Sequence, residues 1–343
     1  QGIGLAQAAQ RVQRVIGQGS DTFKKYGADL STTNTQTENA SILIETMGKR
    51  LEGTAESAAK AGAGPLKQLQ NAVKQIQPDV IHLHSSKAGV LGRIAAKAYP
   101  KAKVYYTPHG YAFLRNDISF IKQKFFKMVE KLIPYVYKGV TLACGDYEHE
   151  LAKSFGKSIL IRNGVSLREF YIDSNGKSGK LKSIVTVGRI SFQKNPELFN
   201  AIALKFPNLN FIWIGDGELK QVLTASNVKV SGWLDRKAAL KLLAKQDVYI
   251  QTSLWEGLPF TIIEAMALQK PIIASNVMGN KDIVEHIKNG FLCNSLRDFE
   301  IAIKSFIDKP NLVAEFGNSS RIIAENKFDR DKNFKELVEI YKP

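Results

Sequence analysis

Residues 79–110 read DVIHLHSSKAGVLGRIAAKAYPKAKVYYTPHG. An apolar run at 80–84 gives way to the loop Ser85-Ser86, a small-residue helical pattern follows to Ala98, and a second run at 104–106 ends in Thr107-Pro108-His109-Gly110. Two strands of continuous apolar character, joined by a helix long enough to cross over, make a parallel βαβ unit buried on both faces. The unit repeats outward from this stretch. Runs at 140–143 and 159–161 extend the first series, and runs at 183–187, 209–214, 228–230, 248–251 and 271–274 form a second. Between them, residues 171–182 are rich in Ser, Asn, Gly and Lys and read as a linker. The sequence predicts an α/β protein of two tandem Rossmann-like, doubly wound domains, 66–178 and 179–343. The carboxyl ends of their strands should face a common cleft.

A length of 343 residues suits two such domains. With 44% hydrophobic and 23% charged residues, the chain is neither disordered nor collagen-like nor disulfide-stapled. Cys144 and Cys293 stand far apart with no CxxC partner, which points to a reducing compartment and no thiol-bound metal. No apolar run reaches the roughly 18 residues of a membrane span, and the first residues lack a signal-peptide layout. A soluble, cytoplasmic protein is expected. The net charge of +16 calls for an anionic partner: nucleic acid, a phosphorylated substrate or an acidic membrane surface. Residues 1–179 hold 25 Lys and Arg against 14 Asp and Glu (25 − 14 = +11), and the rest hold 23 against 18 (23 − 18 = +5), so the excess lies in the first half. Residues 1–65 do not join the strand–helix rhythm. They read as an atypical helical or irregular segment with no strand leading into a Gly-rich loop.

Chemistry concentrates at 253–267, Ser-Leu-Trp-Glu-Gly-Leu-Pro-Phe-Thr-Ile-Ile-Glu-Ala-Met-Ala. Pro259 suits the first turn of a helix running to about Leu268, whose N-terminus would point into the cleft as an anion site. Glu256 precedes that helix, and Glu264 lies on its second turn.

With its surroundings, this pair of carboxylates resembles the E-x7-E motif of the retaining glycosyltransferases of family 4, which have the GT-B fold. Val187-Gly188-Arg189 with Lys194, Ile214-Gly215-Asp216-Gly217, Ile161-Arg162-Asn163-Gly164-Val165 and Thr107-Pro108-His109-Gly110 are similar to further signatures in the same order. The resemblance spans about residues 70–340. It implies that Arg189 and Lys194 grip the diphosphate of a nucleotide-sugar donor, a UDP-sugar by preference. Glu264 would hold ribose hydroxyls, Glu256 the donor sugar, and Phe260 and Thr261, behind Pro259, would present backbone amides. His109 would orient the sugar from the opposite domain, Asn163 joins the substrate-contact set, and the loop from Gly215 would frame the base. Two cations suit the charge that builds on a departing diphosphate.

Each assignment has a plainer alternative. Lys194 could be a solvated lysine, Glu256 a carboxylate placed for the helix dipole, and His109 a loop histidine that caps or packs. His82 and His84 point to one face of a strand and are as readily packing residues as functional ones. His149 and His286 read as surface residues. With no HExxH present, no metal and no cofactor are expected. Residues 84–93 are similar to a subgroup that builds bacterial surface polysaccharides on lipid-linked precursors. The stretch 120–133 mixes apolar residues at helical spacing with four lysines, so it is either a peripheral contact with an anionic membrane or an amphipathic helix packed on its own sheet. Family members begin with a strand, a Gly-rich loop and two further strands, and residues 1–65 do not read that way. The expected function is retaining transfer of a sugar to an acceptor hydroxyl, on a lipid-linked or saccharide acceptor. The rivals are a nucleotide-sugar epimerase of the same fold and a non-catalytic binder of anions or nucleic acid. The latter lacks the interleaved aromatic and basic residues of a single-strand platform, so no nucleic-acid partner is expected.

Overall fold

The computed structural model describes residues 65–170 and 180–342. The atypical segment up to residue 64 and most of the expected linker lie outside the described residues. Pro65–Ile76 forms a helix, α1, opening on a proline whose missing N–H is not needed in a first turn.

Among the described residues, the first sheet has four parallel strands in chain order: β1 (Val80–His84), β2 (Lys103–Thr107), β3 (Val140–Ala143) and β4 (Ser158–Leu160). The crossovers are α2 (Ser86–Ala96), α3 (Phe120–Val136) and α4 (Asp146–Lys153). When strand order follows chain order, right-handed crossovers bring every helix to the same face. Apolar side chains collect on that face, where Leu83, Tyr106, Tyr111, Phe113, Ala152 and Phe155 form one cluster. Helix α2 lies close to the sheet, since a Cβ on Gly92 would stand 2.2 Å from the Leu83 side chain and one on Gly89 2.4 Å from the Tyr106 ring.

The second sheet is also parallel, with its strands β5 (Ser183–Val187), β6 (Asn210–Ile214), β7 (Val228–Val230), β8 (Val248–Gln251), β9 (Ile272–Ser275) and β10 (Gly290–Cys293) in the order β10-β9-β8-β5-β6-β7. From β5 the chain builds outward through β6 and β7, then returns to pair β8 on the other side of β5, Val185 against Tyr249. The connecting helices therefore divide between the two faces. Helices α5 (Pro196–Lys205) and α9 (Leu296–Asp308) bury Phe199, Ile303 and Phe306 on one face. On the other, α6 (Arg236–Ala244) and α7 (Phe260–Ala267) bury Leu243, Ile262 and Met266. Strands β8 and β9 are buried throughout, as continuous apolar runs predict. Gly290–Cys293, not anticipated as a strand, completes the edge beside β9.

Capping side chains begin α5, α6 and α9: Asn195, Asp235 and a Ser295–Asp298 capping box. Helix α7 differs. It starts at Phe260, one residue later than expected, because Pro259 takes the extended N-cap conformation with φ −72° and ψ 116°. No side chain caps it and its first turn carries no acid.

After the short α8 (Asn280–Ile283) and then α10 (Asn311–Lys327), the last helix, α11 (Arg330–Tyr341), returns to the first sheet. There the Tyr105 hydroxyl donates to the Ile340 carbonyl at 2.9 Å, and the Tyr341 hydroxyl meets His82 Nδ1. The end of the chain thus covers the sheet face opposite α2 and α3, where His82, His84 and Tyr105 point.

Candidate functional site

A doubly wound sheet opens a crevice where its strand order reverses, outside the carboxyl ends of the two strands concerned. Here those strands are β5 and β8. The loop after β5 carries Gly188, Arg189 and, at the end of a 3-10 turn, Lys194; the loop after β8 carries Ser253 to Pro259. Across the reversal Lys194 Nζ lies 2.7 Å from Glu256 Oε1, which also accepts from Gln251 Nε2 at 2.7 Å. Glu256 is only 7% exposed, so these two donors replace the water its carboxylate has lost. Gln251 is oriented in turn by the buried Tyr249 hydroxyl, 2.7 Å from its Oε1 and 2.9 Å from Thr261 Oγ1. The loops are laced together by Leu254 N–H to the Gln193 carbonyl at 2.8 Å and Gln193 Nε2 to the Trp255 carbonyl at 2.9 Å.

Arg189 is exposed beside this pair and forms no ion pair among the described residues. The loop after β6 closes against it, with Ile190 N–H donating to the Asp216 carbonyl at 2.9 Å. Gly215 permits that approach: its φ is +139°, and a Cβ there would stand 2.1 Å from the Gly188 carbonyl oxygen. Asp216 accepts from the Gly217 N–H at 2.9 Å, which sharpens the turn. Phe260 is exposed, and Phe260 and Thr261 supply the first N–H groups of the uncapped α7. An unpaired cation, a paired one and a free helix N-terminus therefore meet at the crevice, which suits it to a polyanion.

Glu264 faces Arg236, whose Nη2 donates to its Oε1 at 3.1 Å. Burial raises the Glu264 carboxyl above its usual range, and Arg236 opposes that shift. Arg236 also binds Glu169. Sequence reasoning missed Arg236, which begins α6, 28 residues before its partner.

From the first sheet, the loop after β2 reaches the same place. A Cβ on Gly257 would fall 2.6 Å from the His109 carbonyl oxygen, and one on Gly110 would fall 3.2 Å from Gly257 Cα. His109 and Gly110 hold φ of +54° and +90°. What keeps this turn in place is Glu148, another residue not singled out from sequence. It is 1% exposed, and its two carboxylate oxygens accept from the Gly110 N–H at 2.7 Å and the Cys144 N–H at 2.8 Å. His109 Nε2 lies 2.9 Å from His84 Nδ1, the two rings stack at 5.2 Å, and His84 packs on His82 at 4.1 Å. His82 Nε2 bonds Thr107 Oγ1 at 2.8 Å. Desolvation holds all three imidazoles below their ordinary value, His82 at about 3 with help from the other two. Each ring is neutral at neutral pH, so each can hydrogen bond to its neighbour without like-charge repulsion. Among the described residues, no group of three or more His, Cys, Asp or Glu could hold a metal ion.

The Asn163 backbone N–H donates at 3.3 Å to the carbonyl of Cys144, the residue whose N–H Glu148 holds. His286 is exposed as expected, whereas His149 is half-buried and bonds Ser158 Oγ at 2.9 Å.

Comparison with known proteins gives two family matches: glycosyl transferases group 1 over residues 168–322 and glycosyltransferase family 4 over residues 50–169. A protein of Escherichia coli, UDP-Gal:alpha-D-GlcNAc-diphosphoundecaprenol alpha-1,3-galactosyltransferase, is 34% identical, covering 80% of this chain and 77% of its own. A capsular polysaccharide biosynthesis glycosyltransferase, CapM of Staphylococcus aureus, is 24% identical over 77% of each chain. Among solved structures, Anabaena HepE in complex with UDP and glucose superposes with a TM-score of 0.68 at 19% identity, covering 80% of each chain. Sucrose-phosphate synthase from Thermosynechococcus elongatus superposes at 0.69 with 20% identity, over 87% of this chain and 78% of that one. Both share this chain's fold.

Two stability measurements test the geometry. Glu148→Gln replaces one acceptor oxygen by a donor that faces a backbone N–H, so urea unfolding should show a loss of about 1.5–3 kcal/mol. Wild-type stability in that variant would mean the carboxylate does not hold the His109 turn. His82 supplies the second test through its depressed value. Below about pH 6.5 the unfolded chain takes up a proton on this residue that the folded chain refuses, so its contribution to stability falls with pH until about pH 3. His82→Asn should therefore lose less stability than wild type between pH 7 and pH 5. Buried carboxylates such as Glu130 and Asp282, whose values are raised, act in the opposite sense and cancel in the difference. Parallel pH curves for the two proteins would exclude a neutral, desolvated His82.

Proposed function

The chain belongs to the group 1 glycosyl transferases, and on that premise we propose that it moves a sugar, with retention of configuration and without a metal ion, from a nucleotide-diphosphate sugar to an acceptor hydroxyl. The observation that carries this reading is the meeting, at the reversal of the second sheet, of Arg189, Lys194, Glu256 and the free N-terminus of α7 with the His109 turn of the first sheet. In this reading Arg189 and Lys194, with the α7 amides, stabilise the negative charge of the departing diphosphate, the work a metal ion does elsewhere. Glu256, already tied to Lys194, takes the sugar hydroxyls and couples the sugar's position to that of the diphosphate. Glu264 shares its oxygens between Arg236 and the ribose. Attack on the face the diphosphate leaves, within the short-lived ion pair, would give retention. His109, neutral and stacked on His84, borders the sugar from the acceptor side.

A UDP-sugar is the favoured donor: the E. coli relative is named for UDP-Gal, and HepE was crystallised with UDP and glucose. The same relative is named for a diphosphoundecaprenol acceptor, and the S. aureus relative for capsular polysaccharide biosynthesis. We assign this chain an acceptor of that kind, a lipid-linked or saccharide precursor of a bacterial surface polysaccharide. It would work in the cytoplasm, peripherally on the inner face of the membrane. No helix among the described residues is long and apolar enough to cross a membrane. Incubation of donor with and without acceptor separates this reading from an epimerase, which needs no acceptor and returns an isomerised nucleotide sugar.

Replacing Arg189 by Ala removes a charge-assisted contact to the diphosphate worth about 1.5–3 kcal/mol, so calorimetric UDP affinity should fall roughly 10- to 100-fold with folding unchanged. Lys194→Ala should weaken UDP comparably and also lower thermal stability, because it leaves Glu256 buried without its cation. A folded double variant that binds UDP like wild type would overturn the diphosphate assignment. The two glutamates should part company. Glu264→Gln weakens UDP itself, whereas Glu256→Gln leaves UDP affinity nearly intact and lowers turnover of the sugar nucleotide. Identical behaviour of both toward UDP would dissolve that division.

A further inference from the structure

Helix α3 carries an apolar stripe that no other described residue covers. Ile121, Phe125, Met128, Leu132 and Tyr135 follow one another at steps of four and three, which places them on one side of an α-helix, and Phe120 and Val136 extend the stripe at its ends. All seven are exposed, Ile121 at 79% and Tyr135 at 75%. Along one border run Lys124, Lys127 and Lys131, again spaced three and four apart, and Lys122 flanks the other. The four lysines are exposed and none forms an ion pair among the described residues; Lys124 and Lys127 instead lie over the rings of Phe120 and Phe113. The helix has one acid, Glu130, which is buried on the inner side against the Tyr106 hydroxyl. Over 17 residues, about 25 Å, the outward side therefore offers apolar and cationic groups with no acid between them.

We propose that this side of α3 docks on the anionic surface of a lipid bilayer, its apolar stripe entering the headgroup boundary and its lysine row meeting the lipid phosphates. An interfacial helix needs this division, with apolar side chains on one side and lysines at the border, where their stems remain in apolar surroundings while the ammonium reaches the headgroups. The charge distribution agrees, since residues 1–179 carry +11 of the total +16. A second copy of the chain fits less well. Antiparallel pairing through the stripe would set two lysine rows against each other with no acid to offset them. The proposal uses the lipid-linked acceptor only as the reason to visit a membrane; the surface itself is argued from α3 alone.

The test is sedimentation of the full chain, without donor or acceptor, with large vesicles of phosphatidylcholine and phosphatidylglycerol at 7:3 and with vesicles of phosphatidylcholine alone, in 50 mM salt. Wild type should bind the mixed vesicles and not the neutral ones, and 0.5 M salt should weaken binding as the Debye length shrinks. Converting Lys122, Lys124, Lys127 and Lys131 together to Gln should lower partitioning by about two to three orders of magnitude, roughly fivefold per lysine. A second variant, Ile121→Ser with Phe125→Ser and Met128→Ser, keeps the lysines and should also lose binding. Thermal melting and UDP calorimetry show that both variants remain folded. Wild-type failure to bind, binding by both variants equal to wild type, or a dimer in analytical ultracentrifugation that the serine variant dissolves would overturn the proposal. Vesicle binding without sugar transfer to any lipid-linked acceptor would instead count against the proposed acceptor and leave the docking surface standing.

Discussion

A carboxylate as enclosed as that of Glu256 needs a cation and a donor in fixed positions to replace the water it has lost. Lys194 and Gln251 supply them from the loop after β5 and the end of β8. Those strands are neighbours only because the sheet reverses there, so this ion pair joins the two halves of the winding at the point where a ligand would enter. Gln251 is held by Tyr249, and Tyr249 also touches Thr261 in the first turn of α7. One chain of contacts thus fixes the lysine, the glutamate and the helix N-terminus relative to each other. The bare backbone of Gly257, next to that glutamate, is what allows the His109 turn to pack against the same loop.

Much of the architecture was legible because parallel strands buried on both faces have a local signature. Val248–Gln251 and Ser183–Val187 read as strands from apolar residues alone and are strands. Strand order was not legible. Nothing local to Val185 says that its partner is Tyr249 rather than a residue of β4. Gly290–Cys293 escaped for a different reason: it opens on a glycine preceded by Asn289, a pair that reads as turn chemistry rather than as the start of a strand. At the candidate site, Arg189, Lys194, Glu256 and Glu264 could be singled out because they sit in recognisable strings. Arg236 and Glu148 could not, since each acts through a partner supplied by folding. Glu148 sits on an ordinary amphipathic helix and gains its role only when Gly110, 38 residues earlier, is brought beside it.

The histidines show where burial decides what pattern leaves open. Alternation along β1 put His82 and His84 on one face but could not say what covered it. The cover is α11, from the far end of the chain, with Tyr341 on His82 and Ile340 accepting from Tyr105. Contacts spanning 259 and 235 residues leave no trace in any window of sequence. Their consequence is chemical as well as structural. A covered row of imidazoles stays neutral, so His109 is presented to the site as a hydrogen-bonding group rather than a cation. In the proposed reaction, the positive charge that a leaving diphosphate needs would then come from the second sheet alone.

That division of charge bears on the basic first half. To the crevice the first sheet brings the His109 turn, with His109 and Gly110. Four of its lysines lie on α3, which starts ten residues after Gly110 and follows the same strand, β2. The connection between them is short and tied at several points. Ala112 N–H donates to Ser86 Oγ at 3.3 Å, Gln123 Nε2 to the Arg115 carbonyl at 2.7 Å, and Lys127 lies over Phe113. Helix α3 and the His109 turn are therefore held to the same end of β2 by contacts that leave little play between them. Any surface that α3 rests on fixes the height and direction of His109 above that surface. A bilayer under α3 would set the distance from the lipid headgroups to the point where an acceptor hydroxyl must arrive. The spacing between lysine row and histidine turn would then help select acceptors by how far their sugar stands above the membrane.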